Sequence, residues 1–137
     1  MKRSLPLIFL LLALPAAAAE TKHPIDIWFA QAMSKTDGVT ANIREVDAEA
    51  NVRWDADLNA VYKRLLSRLP LEERKQLVTA QRKWVAWRNA ELKLQVALLA
   101  DDTGTLTAIM LDSEGFGMIR QRALDLESYD HLLDHPP

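Results

Sequence analysis

The chain contains no cysteine, and this absence excludes disulfide bonds, thiol catalysis and zinc sites built from thiolates. Glycine is scarce, with four residues, and none lies in a phosphate-binding or dinucleotide-binding loop. No serine stands in a nucleophile elbow. Asp55 and Asp57 are two positions apart, so a helix points them to different faces and they make a poor acid and base pair. The sequence therefore predicts no catalytic residue, no cofactor and no enzyme activity.

Long apolar runs are missing except at the start of the chain. Lys2 and Arg3 precede an apolar run over residues 5–14, which is followed by a proline and a run of alanines. This order is typical of a secretory signal peptide. The run is far shorter than the roughly 20 residues of a membrane-spanning helix. We therefore expect a signal peptide over residues 1–19 and a single domain over residues 20–137 that is periplasmic or secreted, with no membrane span after cleavage.

The rest of the chain shows the spacing of amphipathic helices and lacks the alternation typical of strands. Connections of a few residues between long helices place neighbouring helices antiparallel. The sequence therefore predicts an all-α fold, an antiparallel up-and-down helical bundle of three long helices plus a short N-terminal helix. The predicted helices cover residues 24–35, 40–69, 70–100 and 105–130.

Polar residues interrupt the apolar faces of the second and third predicted helices, and they form two short sequence motifs. The pattern D-x-x-L-N-x-x-Y, followed by A-Q-x-x-W-x-x-W-R, resembles the LprI-like family of small secreted helical bacterial proteins named for lysozyme inhibition. The resemblance covers roughly residues 25–130 and implies a helical fold and a protein partner. Most members carry cysteines, and this chain departs from them. The matching residues are Asp55, Leu58, Asn59, Tyr62, Ala80, Gln81, Trp84, Trp87 and Arg88.

Six of these residues, Asp55, Asn59, Tyr62, Gln81, Trp84 and Arg88, form the candidate polar cluster. If the second and third helices fold back at Leu69 and Pro70, residues at equal distances from the turn lie level. We therefore predict an ion pair between Arg88 and Asp55 and an amide contact between Gln81 and Asn59. Tyr62 is expected to pack near Leu77. Such pairs fix the register of two long helices, or alternatively line a groove that recognises a carbohydrate or a protein loop.

Charge is unevenly distributed along the chain, whose formal net charge is −2. Residues 60–100 are strongly basic, and the residues from Asp101 onward are strongly acidic. A mildly acidic chain argues against a nucleic acid partner. The two segments are either neighbouring helices whose solvated faces attract each other, or the acidic segment steers a basic partner such as lysozyme.

Histidine offers little evidence for a metal site in the sequence. His131 and His135 are four residues apart and Asp134 is close, but this segment is terminal and lacks a fixed third ligand. His23 is expected in a loose N-terminal tail. We therefore predict no metal.

The sequence favours a noncatalytic periplasmic or secreted binding protein, and the resemblance implies that its partner is a lysozyme-type muramidase. Residues 34–40 and 100–107 are the turns long enough to protrude into a cleft. The alternative is a structural or accessory cell-envelope protein that binds another protein through its helical face. Because the sequence does not distinguish the two, the partner and the oligomeric state stay open.

Overall fold

A computed structural model describes residues 22–101 and 104–136. It contains helices α1 (Pro24–Met33), α2 (Thr40–Arg68), α3 (Leu71–Leu98) and α4 (Thr105–Asp134), and no strand occurs in the described residues. The predicted all-α class and helix order are confirmed. None of these four helices combines the length and the hydropathy that a membrane span needs. The predicted signal peptide, residues 1–19, lies outside the described residues.

Local sequence signals explain where the helices begin and end. His23 is the N-cap of α1, and its Nδ1 accepts a hydrogen bond from the Ile25 N–H at 3.2 Å. Between α1 and α2 the backbone turns through Asp37 and Gly38, which both adopt positive φ, 51° and 72°. Pro70 then separates α2 from α3, because its ring cannot continue a helix.

Helices α2 and α4 pack against each other along their whole length and form the core. They run parallel, because ion pairs join Arg44 to Asp112 near their N-termini and Arg68 to Asp134 near their C-termini. The close approach is possible because Ala50 and Ala123 are both fully buried. The core cluster contains Trp54, Leu58, Val61, Leu65, Leu77, Ile119, Ala123 and Leu126.

Helix α3 is the return connection between these two parallel helices, and it contacts them far less than they contact each other. It runs antiparallel to α4, since its first turns share a groove with Tyr129 and Leu132 while Gln81 further along reaches back to Arg122. Leu77 is the one residue of α3 that is buried. The up-and-down bundle is therefore confirmed, with α4 rather than α3 as the main partner of α2.

Helix α1 covers the α2–α4 pair near its middle. Arg120 of α4 donates two hydrogen bonds of 2.7 Å to the carboxylate of Asp26, and the rings of Phe29 and Phe116 lie 5.1 Å apart. Hydrogen bonding to Arg120 holds the pKa of Asp26 below its usual value, against the opposing effect of burial. The carboxylate therefore favours docking of α1 when it is ionised.

Asp47 of α2 is buried, and Ser113 donates a hydrogen bond of 3.1 Å to its Oδ2 while its Oδ1 has no partner. Burial raises the pKa of this carboxyl above its usual value, and the hydrogen bond from Ser113 and the charge of Asp112 act less strongly in opposite directions. The raised pKa favours folding below the unfolded pKa of about 3.9, and this contribution is lost as the pH rises through the folded pKa.

We therefore expect Asp47→Asn to raise the free energy of unfolding by about 1 kcal/mol at pH 7, because the uncharged amide avoids burying a charge. Urea unfolding measures this, and the gain over the wild type should disappear in acid. Glu114→Gln, at an exposed site on α4, is the control and should change little. A loss of stability at pH 7 for the Asp47 variant would contradict the assignment.

Candidate protein-interaction surface

The two predicted pairings of the polar cluster are wrong. Asn59 donates to the Oδ2 of Asp55 at 3.0 Å and to its carbonyl oxygen at 2.7 Å, so this amide bonds within α2 on an exposed face. Gln81 instead accepts a 3.0 Å hydrogen bond from the Nε of Arg122 on α4. The reason is the packing order, since the polar face of α3 meets α4 while Asp55 and Asn59 face solvent.

Trp84 of α3 is half-buried between two guanidinium groups. The Cζ of Arg88 lies 5.2 Å from its ring centroid, and the Cζ of Arg122 lies 6.0 Å away. The Nη2 of Arg88 donates to Asn89 at 3.4 Å, while its Nε is buried without a partner. Tyr62 packs against the core cluster that contains Leu77. Gln81 and Trp84 therefore contact Arg122, and Arg88 lies over Trp84, apart from Asp55 and Asn59.

Arg122 belongs to this site although the candidate polar cluster does not include it; in the sequence it stands only in a weaker part of the resemblance, with Leu126 and Glu127. It is 8% exposed and lies within the apolar stripe of Ile119, Ala123 and Leu126. An arginine inside a helical stripe of apolar residues is a signal for a buried polar contact. The signal is present in the sequence, but the partner of Arg122 could not be identified because α2 and α3 both flank α4.

The outer surface of α3 combines exposed apolar residues with positive charge. Trp87 is 52% exposed, and Leu94 and Leu98 share its face because they follow it by seven and eleven residues. Lys75 forms an ion pair with Glu72. Arg82, Lys83 and Lys93 form no ion pair with any described residue. We call Arg82, Lys83, Trp87, Lys93, Leu94 and Leu98 the α3 surface.

Much of the negative charge of α4 is instead paired within the chain. Asp112 pairs with Arg44, and Asp130 accepts hydrogen bonds from both Arg64 and Arg68. The acidic segment is thus held against α2, and the charge on α3 that forms no ion pair among the described residues is positive on balance, with more bases than Glu73 and Glu91 offset. This distribution favours an acidic partner surface over a basic one.

The predicted protruding turns do not offer a comparable surface. In residues 34–40, Thr36 is buried, and its Oγ1 donates to the Met33 carbonyl oxygen at 2.9 Å. The Nδ2 of Asn42 donates to the carbonyl oxygen of Thr36 at 3.4 Å. This turn is therefore compact. The other turn, residues 100–107, includes two positions that lie outside the described residues.

The sequence and the fold of this chain are similar to those of known proteins. No curated protein matches the chain. A crystal structure of an uncharacterised protein from Burkholderia thailandensis is similar, with a TM-score of 0.76, 29% sequence identity and 84% of this chain covered. The chain spans 57% of the length of that protein. The family described as Lysozyme inhibitor LprI matches residues 30–126, which is most of the sequence, so this chain is a member of the LprI family.

Proposed function

We propose that this protein is a noncatalytic inhibitor of a lysozyme-type muramidase and that the α3 surface binds the enzyme. The observation that carries the proposal is the exposed Trp87 near bases that form no ion pair within residues 22–101 and 104–136, on a helix that contributes one buried residue to the core. Membership of the LprI family supports the choice of target. Large aromatic and arginine side chains are the commonest anchors of protein interfaces.

Charge complementarity supports this arrangement. Glycosidases that cleave by a two-carboxylate mechanism, with lysozyme as the type case, place two acidic side chains on either side of the scissile bond. Lys83 precedes Trp87 by four residues and brings positive charge to the same face, and Arg82 and Lys93 add positive charge further round the exposed side of α3. A helix with its side chains is about 10–12 Å across. In the proposed complex α3 alone enters the cleft of the enzyme, and the rest of the domain stays outside it. The bound helix would therefore exclude the polysaccharide from the cleft.

The proposal includes export of the protein. We propose that residues 1–19 are removed as a signal peptide and that residues 20–137 act as one domain in the periplasm or outside the cell. Muramidases reach peptidoglycan in those compartments. Mass spectrometry of the protein purified from a periplasmic extract would identify the N-terminal residue of the mature chain.

Trp87→Ala is expected to weaken binding to the inhibited muramidase about 30-fold, which corresponds to roughly 2 kcal/mol for an aromatic anchor. The measurements are the Kd by titration calorimetry and the inhibition of peptidoglycan clearing by a panel of lysozymes. Tyr129→Ala is the matched control, because Tyr129 is also an exposed aromatic residue, 46% accessible, but belongs to α4. A loss with Tyr129→Ala and none with Trp87→Ala would move the binding surface away from α3.

An accessory cell-envelope protein that binds another helical protein is the second candidate, and the exposed Leu94 and Leu98 favour it. Salt dependence separates the two functions. Binding through the bases of α3 to an acidic cleft weakens as ionic strength rises, whereas binding through an apolar helix face does not. Lys83→Glu should therefore slow association with a muramidase, while Lys35→Glu, at an exposed position beside α1, should not.

A further inference from the structure

Three ligand-bearing side chains from three parts of the chain meet beside the α1–α4 interface. The Nε2 of His23, just before α1, lies 3.4 Å from the Oε1 of Glu127 on α4 and 3.9 Å from the Oδ2 of Asp57 on α2. The three atoms lie within 4.8 Å of one another, and all three residues are half-buried. We call these residues the His23 cluster. It lies outside the α3 surface and takes no part in the proposed inhibition.

The His23 cluster carries more negative charge than its described surroundings balance. Asp57 and Glu127 both face the Nε2 of His23, and no described Lys or Arg lies within ion-pair distance of either. The Oδ2 of Asp57 is buried without a hydrogen-bond partner among the described residues. Since the Nδ1 of His23 accepts the Ile25 N–H, the ring proton lies on Nε2. Two carboxylates thus face one imidazole ring.

We propose that His23, Asp57 and Glu127 bind a divalent transition-metal ion, with Zn²⁺ as the best fit. Ligand atoms about 2.0–2.2 Å from a tetrahedral zinc lie roughly 3.4 Å from one another. The distances of 3.4 and 3.9 Å from His23 to Glu127 and Asp57 are close to this value, and the three atoms, which all lie within 4.8 Å of one another, draw together when the ion binds. One imidazole with two carboxylates suits zinc better than magnesium or calcium, which prefer oxygen ligands alone.

The surroundings of the His23 cluster give the ion a path from solvent and hold the His23 ring in place. His23 and Glu127 line a groove of about 580 Å³ together with Lys22, Asp26 and Arg120, so the ion can enter from solvent and keep a water as its fourth ligand. The His23 ring lies 4.4 Å from that of the fully buried Trp54, which limits its rotation. The ion would join the chain before α1 to both α2 and α4.

Metal binding at Nε2 requires a tautomer change that can be observed. The ring proton moves from Nε2 to Nδ1, which frees Nε2 to bind the metal. Nδ1 then no longer accepts the Ile25 N–H, and the N-cap bond of α1 is exchanged for the metal. Nitrogen NMR of the histidine ring distinguishes the two tautomers directly.

The test is titration of the secreted full chain with Zn²⁺, followed by calorimetry and by NMR of the His23 ring. We expect one equivalent to bind, with the proton of His23 appearing on Nδ1. His23→Gln, Asp57→Asn and Glu127→Gln should each weaken binding more than tenfold, because each removes a ligand. Circular dichroism of the metal-free variants checks that each is folded.

The control is the double variant His131→Gln, His135→Gln, which removes an exposed pair of stacked rings on α4. It should bind Zn²⁺ like the wild type. Absence of binding by the folded wild type, unchanged binding by all three cluster variants, or loss of binding in the double variant alone would overturn the proposal. Inhibition of a muramidase is not needed for any of these measurements, so failure of one proposal leaves the other in place.

Discussion

Trp54→Ala is expected to lower the free energy of unfolding by about 3–5 kcal/mol, the range for truncating a large aromatic side chain in a packed core. Trp54 is fully buried in α2, where its ring lies 4.4 Å from that of His23 and 5.5 Å from the Cζ of Arg120. Removing it leaves a cavity where α1, α2 and α4 meet. Urea unfolding followed by circular dichroism measures the loss.

Trp87→Ala is the matched control for this substitution. Trp87 is 52% exposed on α3, so we expect its removal to change the free energy of unfolding by no more than about 0.5 kcal/mol. The same variant thus separates stability from binding, since it is also the variant expected to lose muramidase affinity. Equal losses of stability for the two tryptophan variants would contradict the placement of the core between α2 and α4.

Asp130→Ala is expected to lower the free energy of unfolding by about 3 kcal/mol at pH 7, because it leaves two guanidinium groups without their shared acceptor. The Asp130 side chain is 12% exposed, and hydrogen bonds from Arg64 and Arg68 hold it against α2. This value lies at the lower end for breaking a buried pair, because the Arg64 side chain is 48% exposed. Urea unfolding at pH 7 provides the measurement.

The effect of Asp130→Ala should depend on pH. Burial alone would raise the pKa of Asp130, but hydrogen bonds from Arg64 and Arg68 outweigh it and hold the pKa below its usual value. The ionised carboxylate therefore favours folding above the unfolded pKa of about 3.9, and this contribution is lost as the pH falls through the folded pKa. The difference between variant and wild type should shrink in strong acid.

Glu49→Ala serves as the control for Asp130→Ala. Glu49 pairs with Arg53 one turn along α2, but both side chains are more than two-fifths exposed, 48% and 42%. Such surface pairs contribute about 0.5 kcal/mol or less. If Glu49→Ala cost as much as Asp130→Ala, solvent exposure would not explain the difference between the two ion pairs.

The individual helices could be predicted from the sequence because each carries its own signals. The stripe of Ala50, Trp54 and Leu58 repeats at the helical period, and all three residues are buried. Pro24 and Pro70 begin or separate helices by fixing φ and removing a hydrogen-bond donor. Local chemistry of this kind does not depend on which helix packs against which.

The polar pairings could not be predicted, because they depend on how closely each pair of helices packs. The small side chains of Ala50 and Ala123 allow α2 and α4 to approach each other closely. The face of α3 that packs against the bundle contains Gln81, Trp84 and Arg88, whose size and polarity favour a wider separation. The helical spacing of apolar residues identifies which face of a helix is buried, but it does not identify which helix covers that face. Placing Gln81 opposite α2 instead of α4 therefore gave the wrong contacts.

The role of His23 could not be predicted from the sequence either. It was expected in a loose tail, yet it caps α1 and lies beside carboxylates from α2 and α4. Its neighbours Asp57 and Glu127 are far away along the chain, so no motif spacing joins them. Proximity of this kind arises from tertiary packing alone.

Because α3 contributes Leu77 and little else to the core, most of its residues can be replaced without unfolding the protein. If α3 binds the enzyme as proposed, selection can change the outer face of this helix to follow a changing target while α2 and α4 keep the shape of the molecule. We then expect sequences of homologues to vary most among the residues that follow Arg88 on this helix. Specificity and foldability would be encoded in different helices of one short chain.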